Sequence, residues 1–346
     1  MKKSIMLCII FVTTFLILYS CSNIPTAPST IPKDPVGTTK PSVSSYSTIG
    51  IYAVVDKQPT LLPIAVPDYV KLRVSVPGFE SLSPSNFRIF EDNKEQGFVV
   101  YKESTVKNKI DIAIILDVTG SMSPSIQGAK NSIIAFSQAL KDSGLDVRIG
   151  VVPFDDYVNP PSDIEIELPY LNLSSPDKAK DYVSELYAGY GGDTPENQYD
   201  AIMFAATALE WRVDSQKSMI IITDAPAHYK GDGTSFAHFT KSEMLPYLVG
   251  YFTIHGAFVP GFYLTSGSDF SAQNDPREIC QKTGGVITYT DSYGNVDLTA
   301  LGIVEYVESS WIVAFESDSS APSHTIEVFF EAGAAKKYTK LENVTY

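Results

Sequence analysis

Ile110-Asp-Ile-Ala-Ile-Ile-Leu-Asp117-Val-Thr119-Gly-Ser121-Met122 is the stretch on which the fold turns. Its first half reads as a continuous apolar run with β-branched residues, the pattern of a strand buried on both faces in a parallel sheet under helices. The run ends at Asp117, and a carboxylate and two hydroxyls, Asp117, Thr119 and Ser121, follow at alternate positions. In open α/β sheets, ligands bind at the carboxyl ends of the strands. Alternate spacing in an extended turn can aim three oxygen groups at one point. Three hard oxygens suit Mg²⁺ or Mn²⁺, not zinc or copper.

Outward from this stretch, strands and helices alternate between about 108 and 309, which predicts a doubly wound, mostly parallel α/β sheet. Ile126, Ala129, Ile133, Phe136 and Leu140 mark one face of a first helix. Ala179, Val183 and Leu186 mark a second, and Ala201, Ile202, Ala205 and Leu209 a third. Strands are expected over 146–154, 218–223, 252–259 and 286–290, and a last helix carries Leu298, Leu301, Glu305 and Tyr306. On the amino-terminal side Val70, Leu72, Val74 and Val76 alternate with polar residues, and 87–101 reads as a hairpin about Asp92-Asn93. On the carboxyl-terminal side 311–316 and 324–331 are strands, with Ile326, Val328 and Phe330 on one face. Neither flanking set has enough strands to bury a core. The economical architecture joins 46–107 and 310–346 into one small β-sandwich with the α/β domain, 108–309, inserted in it.

The first twenty residues read as a secretory signal: Lys2 and Lys3 precede an apolar stretch too short for a comfortable membrane span. Its Leu18-Tyr-Ser-Cys21 ending resembles a bacterial lipobox, which implies a lipid anchor on Cys21 and a location in the cell envelope, outside the cytoplasm, on the outer membrane or cell surface. Residues 21–45, rich in Pro, Ser and Thr, are expected to be a tether. The chain has 346 residues, 44% hydrophobic and 19% charged, enough for two domains. Of its three cysteines only Cys280 lies beyond Cys21, so the lipidated form has no disulfide, and Cys280 is expected to be a small buried hydrophobe. A formal charge of −14 argues against nucleic acid and against electrostatic adhesion to anionic lipid. An acidic partner must then be held by a local positive centre.

Asp117-x-Thr119-x-Ser121 resembles the metal-ion-dependent adhesion site of the von Willebrand factor type A family, whose signature is Asp-x-Ser-x-Ser. Asp193-Thr194-Pro-Glu196, followed by Tyr199-Asp-Ala-Ile-Met, is similar to the second loop of the integrin β chains. In simpler members of the family that loop gives the metal a threonine. Alignment on Ala201-Ile202 favours Glu196, residue type favours Thr194, and Asp193 stays a candidate. The alternative is that Asp193 or Thr194 caps the following helix. Asp224, at the end of the apolar strand Ile220-Ile-Ile-Thr223, falls where the family completes its site. The resemblance implies Mg²⁺, with Mn²⁺ or Ca²⁺ as alternatives, and a protein partner that offers a Glu or Asp to the ion. Pro124 and Ser125 stand where a further calcium-type site would need acids, so none is expected.

Asp155 and Asp156 read as solvated turn residues, and the aromatics of 226–239 and 260–275 as a rim that sets partner choice. None of the four histidines lies in a zinc or nucleophile motif, so catalysis is not expected. The competing readings are a structural lipoprotein that works without metal and a metal-assisted hydrolase.

Overall fold

The computed structural model describes residues 30–346 apart from 60–61, 66–67, 80, 108, 143, 157–169, 190, 261–263, 265–269, 292, 296–297 and 299–308. The expected signal segment, Cys21 and the body of the expected last helix therefore lie outside the described residues. The strands are β1 (Tyr52–Val55), β2 (Val70–Ser75), β3 (Phe87–Glu91), β4 (Lys94–Glu95), β5 (Phe98–Lys102), β6 (Lys109–Asp117), β7 (Asp146–Phe154), β8 (Leu171–Ser174), β9 (Ser215–Thr223), β10 (Thr253–Phe258), β11 (Ile287–Tyr289), β12 (Ser310–Phe315), β13 (His324–Ala332) and β14 (Ala335–Val344). The helices are α1 (Glu103–Val106), α2 (Ile126–Asp142), α3 (Pro176–Glu185), α4 (Gln198–Ala208), α5 (Lys241–Leu248) and α6 (Arg277–Lys282). No helix among the described residues is long and apolar enough to cross a membrane.

β6 is central in a six-stranded sheet of order β11-β10-β9-β6-β7-β8. All pairings are parallel except that of the edge strand β8 with β7. The alternation of side chains along β6 splits its apolar run between two cores. Ile110, Ile112, Ile114 and Leu116 pack with Ala129, Ile133, Phe136 and Leu140 of α2 and with Ala179 and Val183 of α3. Ala113 and Ile115 pack on the other side with Tyr199, Ile202 and Ala205 of α4 and with Met244 of α5. The sheet is thus covered on both faces, as the apolar run requires. Ile110, Ile112, Ile114, Ile115 and Leu116 are fully buried, and each contributes about 1.5–3 kcal/mol by leaving water.

The flanking segments form two four-stranded antiparallel sheets, β1-β2-β12-β5 and β14-β13-β3-β4. Leu72, Val74, Val313 and Phe315 of one meet Ile89, Ile326, Val328 and Phe330 of the other in a shared core. The β3–β4 turn has Asp92 at φ 48° and Asn93 at φ 70°, the left-handed pair that a two-residue hairpin turn of the primed type demands. The expected hairpin over 87–101 is shorter than its apolar pattern suggests. β4 has two residues, and β5 crosses to the other sheet to pair with β12. That placement supplies an edge strand to the first sheet and lets Phe98 and Val100 pack against the shared core.

The described part of the expected tether, 30–45, lies against the sandwich. Asp34 pairs with Lys94 at 2.6 Å and accepts from the Gly97 N–H, Arg88 donates to the Thr39 carbonyl, and Lys40 pairs with Glu327 at 2.7 Å. Tyr46 then stacks edge-on over Phe329, and Ser47 bridges to the outer edge of β14. Composition alone reads such a segment as solvated; specific polar partners and one aromatic contact hold it down.

Candidate functional site

The site lies at the carboxyl ends of β6 and β9. Asp117 is fully buried. Its Oδ1 accepts from the Thr119 N–H at 2.9 Å and the Thr119 hydroxyl at 2.6 Å, closing a tight side-chain turn. Its Oδ2 accepts from the Thr223 hydroxyl at 2.5 Å, so β9 fixes the other oxygen. The Val118 N–H bonds to the Phe154 carbonyl of β7, and Met122 anchors the following 3₁₀ turn in the core. Ser121 Oγ lies 3.0 Å from Thr119 Oγ1 and donates to Asp224 Oδ1 at 3.0 Å.

Glu196 is brought in by backbone pairing. Its N–H bonds to the Pro226 carbonyl at 3.0 Å, and its carbonyl accepts from the His228 N–H at 2.7 Å. Asn197 N–H bonds to the Asp155 carbonyl, and the Gln198 side chain donates to the Ala225 carbonyl. The second loop is thereby laced between the loops that follow β7 and β9. The Glu196 carboxyl hydrogen-bonds the Thr119 hydroxyl. Gly191, at φ 95°, lets the chain pass closely: a Cβ there would sit 3.2 Å from Thr119 Cβ and 3.6 Å from Glu196 Oε1.

Asp117, Thr119, Ser121, Glu196 and Asp224 thus converge. Thr194 is half-buried, and among the described residues no hydrogen bond joins it to that cluster. Neither Asp193 nor Thr194 caps α4; Asn197 does, accepting from the Asp200 N–H.

Three carboxylates share this space, and among the described residues no Lys or Arg forms an ion pair with them. Burial, then the charge of Asp224, pushes Asp117 up to about 7 against the opposing hydrogen bonds of Thr119 and Thr223. Burial, then Asp117 and Asp156, pushes Glu196 up to about 10. Burial also raises Asp224. Glu196 Oε2 is buried with no donor group bonded to it, and the Glu196 carboxyl meets that of Asp156. A buried carboxylate oxygen without a donor is costly, and either a proton or a bound cation relieves it. An all-oxygen set of carboxylates and neutral hydroxyls fits Mg²⁺, Mn²⁺ or Ca²⁺.

A second acidic group adjoins the first. Single ligand atoms of Asp156, Asp193 and His228 all lie within 4.8 Å of one another. His228 is clamped, Nδ1 at 2.6 Å from Asp232 and Nε2 at 3.0 Å from Asp193. Asp155 and Asp156 are 9% and 5% exposed, not solvated as the turn pattern suggests. Asp156 Oδ2 accepts from the Gly192 N–H, which draws the second loop over it. The available sequence signal was Phe154-Asp-Asp at a strand's carboxyl end, the same position in the sheet as Asp117. Of the expected aromatic rim, His228 is buried, and Tyr229, Phe236 and Phe239 are half-buried; Phe262 and Tyr263 lie outside the described residues.

A doubly wound sheet with oxygen side chains gathered at its carboxyl edge defines the class of this domain as α/β. Residues 111–242 match the sequence profile of the von Willebrand factor A domain, and this part of the chain is such a domain. The chain is 29% identical over 153 residues to the alpha-protein kinase vwkA of Dictyostelium discoideum, which covers 43% of this chain and 23% of that protein. It is 25% identical over 175 residues to integrin beta-4 of Mus musculus, covering 44% of this chain and 10% of that protein. The chain therefore spans less than a quarter of the length of these relatives. Among solved structures, a von Willebrand factor type A protein of Catenulispora acidiphila aligns with a TM-score of 0.39 at 10% identity, over 86% of this chain and 70% of that one.

Proposed function

We propose that Asp117, Thr119, Ser121, Glu196 and Asp224 hold a Mg²⁺ ion, replaceable by Mn²⁺ or Ca²⁺, and that the domain uses it to capture a Glu or Asp of a protein partner. The observation that supports this reading most is the convergence of three carboxylates and two hydroxyls at the carboxyl ends of β6 and β9. The ion would supply a positive centre able to accept an outside carboxylate. The chain's own residues orient the oxygens: Thr223 holds one side of Asp117, Thr119 the other, and the Glu196–Pro226–His228 backbone pairing fixes the second loop. The activity proposed is binding without catalysis. Both ring nitrogens of His228, the imidazole beside the cluster, are engaged by Asp193 and Asp232 instead of facing the oxygens. The same proposal places the protein in a cell envelope, anchored by lipid on Cys21, with no role for nucleic acid.

Calorimetric titration with Mg²⁺ and Mn²⁺ tests the site. The wild type should bind one ion, and Asp117→Ala should lose binding while keeping its circular dichroism spectrum. Equal binding by both proteins refutes the assignment, as does absence of binding by the wild type even with an acidic peptide present to complete the site.

A further inference from the structure

A second surface lies at the opposite end of the parallel strands from Asp117, where the sandwich meets the α/β domain. A cleft of about 490 Å³ opens there between β1, the end of β14, and Val249 and Lys282 of the α/β domain. Both strands turn an open edge to it. Among the described residues β1 pairs with β2, and just past it the Lys57 N–H bonds to the Gly250 carbonyl, while β14 pairs with β13 and, at its outer side, with Ser47. Asp56 N–H bonds to the Lys71 carbonyl across the β1–β2 ladder, so the alternation of an antiparallel pair turns the N–H and C=O of Ala53 outward. Tyr338 N–H bonds outward to the Ser47 carbonyl, which puts the backbone groups of Lys340, two residues on, along the same edge.

Ser47 is a one-residue example of what this edge accepts: it joins β14 in parallel register through two backbone bonds, and then the chain leaves the edge toward β1. Among the described residues no backbone bond covers the β14 edge beyond Tyr338, and open edges bind extended segments through their main-chain groups. Charge indicates which segment. Lys57 and Lys282 are exposed at the cleft, and Lys340 shares its ammonium with Glu342. This is a basic rim on a chain of formal charge −14. Lysines along an edge discourage pairing with a second copy of the same edge and favour a strand of opposite sign.

We propose that this cleft binds an extended, acidic segment of a partner protein as an added strand on β14. The inference does not depend on the metal site.

The test uses the whole protein and a fluorescein-labelled octapeptide of alternating valine and glutamate, followed by anisotropy. The peptide should bind, and the Lys57→Glu/Lys282→Glu pair, both exposed, should weaken it about tenfold or more with an unchanged circular dichroism spectrum. N-methylation of alternate peptide amides should abolish binding, and the Lys340 amide resonance should shift in the complex. Absence of binding overturns the proposal, as does equal binding of a valine–lysine octapeptide or indifference to the charge reversal. Asp117→Ala and chelator should leave the affinity unchanged; loss with either would mean that the peptide sits on the metal site, and would overturn the proposal as well.

Discussion

Asp111→Asn separates the two aspartates of β6, which share a strand and a residue type but do opposite work. Asp111 is fully buried at the start of the strand. Its Oδ1 accepts from Arg148 Nε at 3.0 Å and Arg212 Nε at 2.9 Å. Its Oδ2 accepts from Arg148 Nη2 at 2.8 Å, the Arg212 N–H at 2.8 Å and Ser215 Oγ at 3.0 Å. An amide keeps one acceptor, points N–H groups at donors, and removes the charge that two guanidinium groups share. Breaking a buried pair costs about 3–5 kcal/mol. The two arginines are 26% and 18% exposed and keep the Glu210, Ile110 and Asp146 carbonyls, so the lower end, about 3 kcal/mol, applies. For a domain of this size that lowers Tm by about 6–12 °C. The sign with pH follows from the carboxyl itself. Burial pushes it up, but the hydrogen bonds of Arg148 and Arg212 outweigh that and hold it below its ordinary 3.8. The stabilisation is thus complete above 3.8 and is lost as pH falls through the lowered folded value, so wild type and variant converge there. Metal affinity should be untouched, because Asp117 lies six residues further on, roughly 20 Å along the strand. Urea denaturation at pH 7 and at acid pH checks both statements. A difference below about 1 kcal/mol at pH 7 would show that the arginines do not depend on this carboxylate.

The second loop is resolved by two substitutions: Glu196→Gln should weaken Mg²⁺ binding by about tenfold or more, while Thr194→Ala should leave it within about twofold. The reverse order in calorimetry would make Thr194 the ligand. At the junction of the domains, burial holds the Lys107 ammonium down to about 8 from an ordinary 10.5, where it donates to Gln58 Oε1 at 2.6 Å. Between those two values the unfolded chain holds more protons, so wild-type stability should rise relative to Lys107→Met by up to roughly 3 kcal/mol as pH climbs from 8 to 10.5. A pH-independent difference between the two proteins in denaturant melts would contradict the buried charge.

The sequence by itself marked the central buried strands and the oxygen side chains that follow them. A strand covered on both faces must be apolar at every position, and 110–116 and 218–223 are nearly so; oxygen side chains directly after such strands mark the binding edge of a parallel sheet. Asp117, Thr119, Ser121 and Asp224 were legible for that reason, as was the Asp92-Asn93 turn, whose left-handed backbone these residues tolerate. Asp111 was passed over within the apolar run because its partners, Arg148, Arg212 and Ser215, come from elements 37 to 104 residues away. Only tertiary structure could decide between Glu196 and Thr194 as the residue beside Thr119, since that depends on backbone pairing of 196 with 226 and 228 and not on residue type. The burial of Asp155 and Asp156 under the second loop, the crossing of β5 to the other sheet, and the laying of 30–45 along the sandwich are of the same kind. Each is set by a contact between distant segments. Local pattern reports what one segment can bury, whereas the chosen partner follows from how all the segments close on one another.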